Sequence, residues 1–410
     1  MCSGADVAHS PWGGDHMPMV GPETADQARL LRLLRDDGPR SRVELTDLLG
    51  LPRARFAAEV DRLTALGLVE SAGPAASRGG RRSSLLRIGA QVRFGAVLVG
   101  GGTLRVALTD GELNPLARHD EPVDVRLGPD VVVGRMVELL GKLRVEAGLT
   151  SLTGVGVALP APVEVRDGTL VSPPALPGWH RFPVRDTLAA ELGCPVQVDN
   201  DANAMALGER HAGTGRPFDD FLAVKLGDAV GCGLVLAGSL YRGAASGAGD
   251  IGHLQLSEDG PLCGCGNNGC VEAYCGDAAL VREAVTAARA GRSTVLADRL
   301  AAAGTLAVDD VAAAATEGDP AAQTIVRDAA RRLGQVLVGL VSFVNPAIVI
   351  IGGAPAGIGP VLLAEIRGVV YRRSTPLATG SLPIVLSDLG DTAALIGAAH
   401  LVSTQTYAAR

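Results

Sequence analysis

Apolar residues along the first ninety positions recur at helical spacing and then switch to alternation. In residues 26–35, Ala28, Leu30, Leu31, Leu33 and Leu34 mark one face of a helix that stops at Asp37-Gly38-Pro39. Ser41, with Glu44 three residues on, predicts a second helix opened by a capping box and closed at Leu49-Gly50. After Leu51, Pro52 suits the first turn of a third helix, which runs to Leu66-Gly67 and buries Phe56, Val60 and Leu63. Residues 68–70 and 84–88 then read as two short strands. Further on, strands are predicted over 95–108 (a pair split at Gly100-Gly-Gly-Thr103), 114–118, 154–159, 195–199 and 347–351. Helices are predicted over 130–147, 202–211, 277–299, 308–344 and 392–404. The apolar stripe Ile325, Leu333, Val336, Leu337 and Leu340 suits core or dimer contact, and the last helix is expected to pack back on the first strands. Strands interleaved with helices predict an α/β body, and no internal repeat is visible.

Composition adds a division of charge. Residues 26–88 hold twelve Arg against eight Asp or Glu, while the whole chain of 410 residues carries a net −7. A basic head on an acidic body is the pattern of a nucleic-acid-binding module joined to a sensor. Two short helices about a tight turn are the helix-turn-helix arrangement. Arg53 and Arg55 stand near the start of its second helix, and Arg78, Arg81 and Arg82 sit at a basic Gly-Gly tip between the two strands, a wing suited to phosphates. Charged residues or glycines interrupt every apolar run before it reaches membrane-spanning length. Residues 1–25 lack Lys and Arg and have no apolar stretch, so they are expected to be a disordered tail rather than a signal peptide. A cytoplasmic protein with no membrane partner is expected.

The densest chemistry lies in residues 246–272, SGAGDIGHLQLSEDGPLCGCGNNGCVE. Its His253, Cys263, Cys265 and Cys270 can close on one ion, and three thiolates with one imidazole suit a structural tetrahedral zinc site with no position left for a catalytic water. Cys2, Cys194, Cys232 and Cys275 are expected to be buried thiols.

Gly247-Ala-Gly-Asp-Ile-Gly-His253 and Cys263-Gly-Cys265-Gly-Asn-Asn-Gly-Cys270-Val-Glu272 resemble the signature of the ROK family of repressors, open reading frames and sugar kinases. The resemblance covers nearly everything from about Arg93 onward. It implies a two-lobed, actin-like ATPase (sugar-kinase) fold preceded by a small winged helix-turn-helix domain at 26–88, with the body at 89–410. The small lobe would be 89–199 plus 392–410 and the large lobe 200–391. It also implies a zinc ion beside a bound hexose. Asn200, Asp201, Asp250, His253 and Glu272 match the family's sugar contacts, and Asp201 its catalytic base. Asp250 stands where the family usually has Glu, and Ala175 where it usually has Asn. In the head, Pro52, Arg55 and Ala57 depart from the usual Ser or Thr. Asp201 alone reads equally as a helix N-cap.

The nucleotide side departs further. Val99-Gly-Gly-Gly-Thr103 lacks the acidic residue of the family's first phosphate loop, and Gly227-Asp-Ala-Val-Gly231 places a carboxylate in the second. Asp228 facing a phosphate is repulsive by about 1 to 4 kcal/mol. Lys225, one of two lysines, either compensates or points away. ATP with Mg²⁺ is therefore not expected as a cofactor. The resulting expectation is a homodimeric or homotetrameric repressor of carbohydrate genes that binds operator DNA and senses a sugar or sugar phosphate. The alternatives are an active sugar kinase with a fused head, and a regulator answering to a protein partner.

Overall fold

The computed structural model describes residues 21–74, 84–174, 176–353 and 358–410. The expectations for the tail up to residue 20, for Arg78, Arg81 and Arg82, and for Ala175 lie outside the described residues.

The head forms as its pattern dictates. Helix Ala25–Asp37 ends at Gly38, and Ser41 and Glu44 exchange hydrogen bonds across the start of Arg42–Leu49. Gly50 closes that helix in the left-handed conformation. Pro52 takes the N-cap of Arg53–Ala65 instead of its first turn. Phe56, Val60 and Leu63 are buried. The strands are Val69–Pro74 and Ser84–Ile88, joined by Arg40–Ser41, a pairing that two residues of sequence did not signal.

The body contains two five-stranded sheets with one plan. In each, three strands run parallel and two continue antiparallel as a meander. The first sheet holds Val196–Asn200, Gly154–Leu159, Arg93–Gly100, Thr103–Asp110 and Pro115–Pro122. The second holds Ile384–Leu386, Ile348–Gly352, Phe221–Lys225, Gly231–Leu236 and Ser239–Tyr241. The duplication is architectural and leaves no sequence repeat.

Two predicted long helices are each broken in two. Left-handed Gly291 and the capping Ser293 separate Asp277–Arg289 from Thr294–Ala303. Left-handed Gly318 and the capping Asp319 separate Val308–Thr316 from Pro320–Val344. Leu333, Val336 and Leu337 of the apolar stripe are buried and Ile325 and Leu340 pack against them, so the stripe is core.

Helices Asp201–Ala212 and Asp391–Thr406 cross between the lobes at backbone contact. A Cβ on Gly397 would stand 1.7 Å from the Ala204 carbonyl oxygen, and one on Gly208 1.8 Å from that of Ala393. The closing helix Asp391–Thr406 also carries the head: one continuous apolar core runs from Leu30, Leu31 and Leu34 through Phe94 to Val402 and Tyr407. Arg35, 5% exposed, donates to the hydroxyls of Ser403 and Thr404.

Candidate functional site

Strand Val196–Asn200 ends where helix Asp201–Ala212 begins, and this junction builds one wall of the interlobe cleft. Asp199, 1% exposed, accepts from Asn200 N–H and Asn203 Nδ2 and pairs with Arg242 Nε at 2.8 Å. The helix cap is Asn200, whose Oδ1 accepts from the amides of Ala202 and Asn203, so the N-cap reading of Asp201 is corrected. Asn200 Nδ2 donates to the Ala161 carbonyl, which fixes the side chain in place. Asp201 is the first helical residue.

Asn200, Asp201, Asp250, His253 and Glu272 all line one cleft of about 70 Å³. Small-molecule pockets begin at about 300 Å³, so the cleft in this arrangement is smaller than such a site. Asp250 is exposed and has no hydrogen-bond partner among the described residues. Glu272 accepts from the Val230 amide, tying the cleft floor to the second glycine loop.

The sequence left the direction of Lys225 open, and the fold turns it inward. Its Nζ lies 2.7 Å from Asp201 Oδ2 and 3.0 Å from Asp228 Oδ1. Asp228 Oδ2 in turn accepts from the Gly101 amide at 2.8 Å. Gly101 and Gly102, both left-handed, form the tight turn after Val99, whose side chain is buried in the core. A phosphate between these loops would use the same backbone donor and the same ammonium. Asp228 already occupies both, and in doing so links the two lobes. Burial raises the Asp228 carboxyl, but Lys225 and the Gly101 amide outweigh it and hold it below its ordinary value. Asp201 is pushed up to about 6, by burial first and by the Asp228 charge, against the opposing pull of Lys225. Asp277, also raised to about 6 by burial and by Asp228, is a further acid near this cluster that the motif reading passed over. Lys225 and Asp277 carry no motif signal; only the register of their elements brings them here.

Behind the cleft, His253, Cys263, Cys265 and Cys270 place their ligand atoms within 4.8 Å of one another. The Cys263 Sγ to His253 Nδ1 distance is 3.6 Å and the Cys265 Sγ to Cys270 Sγ distance 3.7 Å. A tetrahedral centre with metal–sulfur bonds of about 2.3 Å has sulfur–sulfur edges of about 3.8 Å, so the donors already stand at the spacing a metal requires. Left-handed Gly269 permits the return of the loop, since a Cβ there would lie 1.8 Å from the Ser257 carbonyl. His253 belongs to both the cluster and the cleft. Cys232 and Cys275 are buried elsewhere and Cys194 is half-buried, and burial pushes all three thiols up to about 12.

On the head, Arg53 and Arg55 open helix Arg53–Ala65 and are exposed. Arg53 has no partner among the described residues. Arg55 is ion-paired with Asp26 of the first helix, so it is less free than its position suggests.

The repeated sheet plan and the cleft between its copies place the chain in the actin-like, sugar-kinase class of two-lobed α/β proteins. Within that class, residues 94–405 match the ROK family, and the chain belongs to it. It is similar to the xylose repressor of Caldicellulosiruptor bescii, 28% identical over 385 residues that cover 91% of this chain and 94% of that one. Its fold matches the crystal structure of a ROK family transcriptional regulator described as a homolog of the E. coli MLC protein. That match has a TM-score of 0.78 and 25% identity, and covers 93% of this chain and 96% of the other. A ROK glucokinase from Streptomyces griseus, solved with glucose and AMPPNP, gives a TM-score of 0.66 at 30% identity over 75% of this chain and 98% of its own. Among the described residues no helix is long and apolar enough to cross a membrane.

Proposed function

We propose that the chain is a transcriptional repressor that binds operator DNA through the head and senses a sugar or sugar phosphate in the cleft, without turning over ATP. The observation that carries the choice over a kinase is the Asp228 carboxylate seated on Gly101 N–H and Lys225. A γ-phosphate would meet a negative charge where kinases present donors and a metal. Val99 adds no ligand for Mg²⁺. Similarity to a xylose repressor and to a transcriptional regulator over nine-tenths of the chain supports the same reading.

In this reading Asp201, Asp250, Glu272 and Asn200 bind sugar hydroxyls, with the imidazole of His253 oriented by the metal on its other side. Zinc suits the Cys3His donor set and braces the loop that carries these groups. Arg53 reaches DNA from the start of the second helix of the helix-turn-helix, and Arg78, Arg81 and Arg82 contact phosphates from the wing. Arg55 contributes only after leaving Asp26. Paired heads of a homodimer or homotetramer in the cytoplasm engage half-sites about 34 to 36 Å apart.

Operator affinity of the full chain, measured by fluorescence anisotropy with and without xylose, glucose and their phosphates, tests the reading. A change of fivefold or more with at least one of them is expected; indifference to all would remove the sensor claim. Asp201 keeps the kinase reading alive. ADP release across the same sugars, abolished by Asp201→Asn, would establish it.

A further inference from the structure

Metal-ligating side chains meet at a second place, where the head rests on the body. Asp36 lies in the last turn of helix Ala25–Asp37, His211 in the last turn of Asp201–Ala212, and His400 inside Asp391–Thr406. The three place ligand atoms within 4.8 Å of one another, apart from both the Cys/His loop and the sugar cleft.

His211 separates this group from an ordinary surface cluster. Its side chain is only 9% exposed, and its Nε2 lies 3.1 Å from the Glu112 carbonyl, which can only accept. Nε2 therefore carries a proton, the outer hydrogen bond by which ligating imidazoles are commonly oriented. The buried Nδ1 faces Asp36 Oδ1 at 3.5 Å and has no hydrogen-bond partner. A proton on Nδ1 would draw the two atoms to the 2.7 to 3.2 Å, about, of a hydrogen bond. Two ligands held at about 2.0 to 2.1 Å by one tetrahedral ion stand about 3.4 Å apart. The observed spacing is that of a shared ion. Burial first, and then Arg35, hold His400 well below the ordinary imidazole value, which keeps it in the neutral form that ligates.

The charges around the group leave room for a cation. Arg35 donates to both Asp36 oxygens, Nε at 2.7 Å and Nη2 at 3.1 Å. A carboxylate has about four lone-pair sites, so each oxygen keeps one, and Arg35 serves as an outer partner of the ligand. Arg210, Arg216 and Arg242 are each paired with an aspartate. Asp36 and His211 both stand at the C-terminal, negative ends of their helices, which favours positive charge between them. All three residues also line a cavity of about 870 Å³ between head and body, which supplies water for a fourth position.

We propose that Asp36, His211 and His400 form a second metal site, for a divalent transition ion that takes imidazole and carboxylate ligands. Three protein ligands with an open fourth position suit such an ion. Its ligands come from the head and from both interlobe helices, so the ion pins the three together. The nearby guanidinium makes this site weaker than the closed Cys3His set, which fills first.

The full chain, brought to one equivalent of Zn²⁺ and then titrated with Co²⁺ by calorimetry and absorption, tests the assignment. One further ion is expected, with d–d absorption but without the thiolate charge-transfer bands that a Cys-ligated Co²⁺ shows. Its affinity should fall about tenfold or more in both His211→Gln and His400→Leu. The Gln amide can still donate to the Glu112 carbonyl, so His211→Gln removes the ligand nitrogen and spares the outer bond. The wild-type spectrum needs no variant, so misfolding of either does not blur the result. The proposal falls if no Co²⁺ binds below millimolar concentration, if the only ion bound shows thiolate bands, or if binding persists unchanged in both histidine variants. Absence of thiolate bands when Co²⁺ is added to chain without the first Zn²⁺ would count against the Cys3His reading and leave this one standing.

Discussion

At the residue scale, Asp228 shows how one carboxylate changes the chemistry of an inherited cleft. It supplies the negative charge that a nucleotide would bring, bonded to Gly101 of one lobe and Lys225 of the other. Asp228→Ala should therefore free the lobes. The full chain is expected to lose about 1.5 to 3 kcal/mol of stability in urea melts, the range for a charged hydrogen bond, and to gain in sugar association rate by stopped flow. An unchanged melt and rate would mean that the link carries no load. Asp201 gives a second prediction. Burial pushes its carboxyl up to about 6, and ionisation frees both carboxylate oxygens to accept from sugar hydroxyls. Because its value is raised, the proton is held more tightly in the fold than in solution, so the accepting form is lost as pH falls through 6. Sugar affinity should be flat from pH 8 to 7 and drop by up to tenfold per unit below 6, as calorimetry across that range would show. In Asp201→Asn the drop should vanish together with most of the affinity.

At the scale of elements, the interlobe helices depend on glycine for a specific reason. Gly397→Ala forces a methyl into the Ala204 carbonyl, 1.7 Å away, and should cost about 1 to 3 kcal/mol or more. Gly134→Ala, in the exposed middle of Pro129–Glu146 with nothing within 4 Å, should instead stabilise by about 0.5 to 1 kcal/mol. Urea melts of the two variants would separate close packing from helix propensity. The contrast also marks what the sequence could express. Capped helices were legible because Ser41, Glu44 and Gly50 state their boundaries locally. Strand Gly154–Leu159 was legible as an unbroken apolar run, and the Cys/His loop because its spacing is dense. The breaks at Gly291 and Gly318 were hidden inside continuing apolar periodicity. The direction of Lys225 and the seat of Asp228 depend on two loops more than a hundred residues apart in sequence, which no local pattern reports. The metal loop belongs to this scale too. With zinc in the Cys3His set, as proposed, Cys270→Ser or chelation of the wild type would remove folding energy from a loop that also carries His253. Sugar affinity should then fall at least tenfold, restored by Zn²⁺ only in the chelated wild type; a chelator without effect would separate the metal from the cleft.

For the whole molecule, the question is how an occupied cleft reaches the head. The helix Asp201–Ala212 has Asn200 and Asp201 at its start, in the cleft, and His211 beside Asp36 of the head near its end, about 15 Å from Asp201 at 1.5 Å per residue. It crosses the closing helix at backbone contact, and that helix holds Arg35 through Ser403 and Thr404. Close-packed helices shift as bodies rather than bend, so a parting of the lobes on the proposed sugar binding would move the platform on which the head rests. A ligand shifts the head only by its differential affinity for the two arrangements. Arg35→Met keeps the aliphatic stem in the apolar seam and removes the polar tie. Sugar affinity should stay within about twofold of wild type, whereas the sugar-induced change in operator affinity, on the order of 5- to 150-fold for a coupled pair of sites, should collapse toward one. Anisotropy titrations of operator DNA at saturating sugar decide the matter. Coupling retained in Arg35→Met would place the transmission in the shared apolar core around Phe94 and Tyr407, and loss of sugar binding itself would show the tie to be structural.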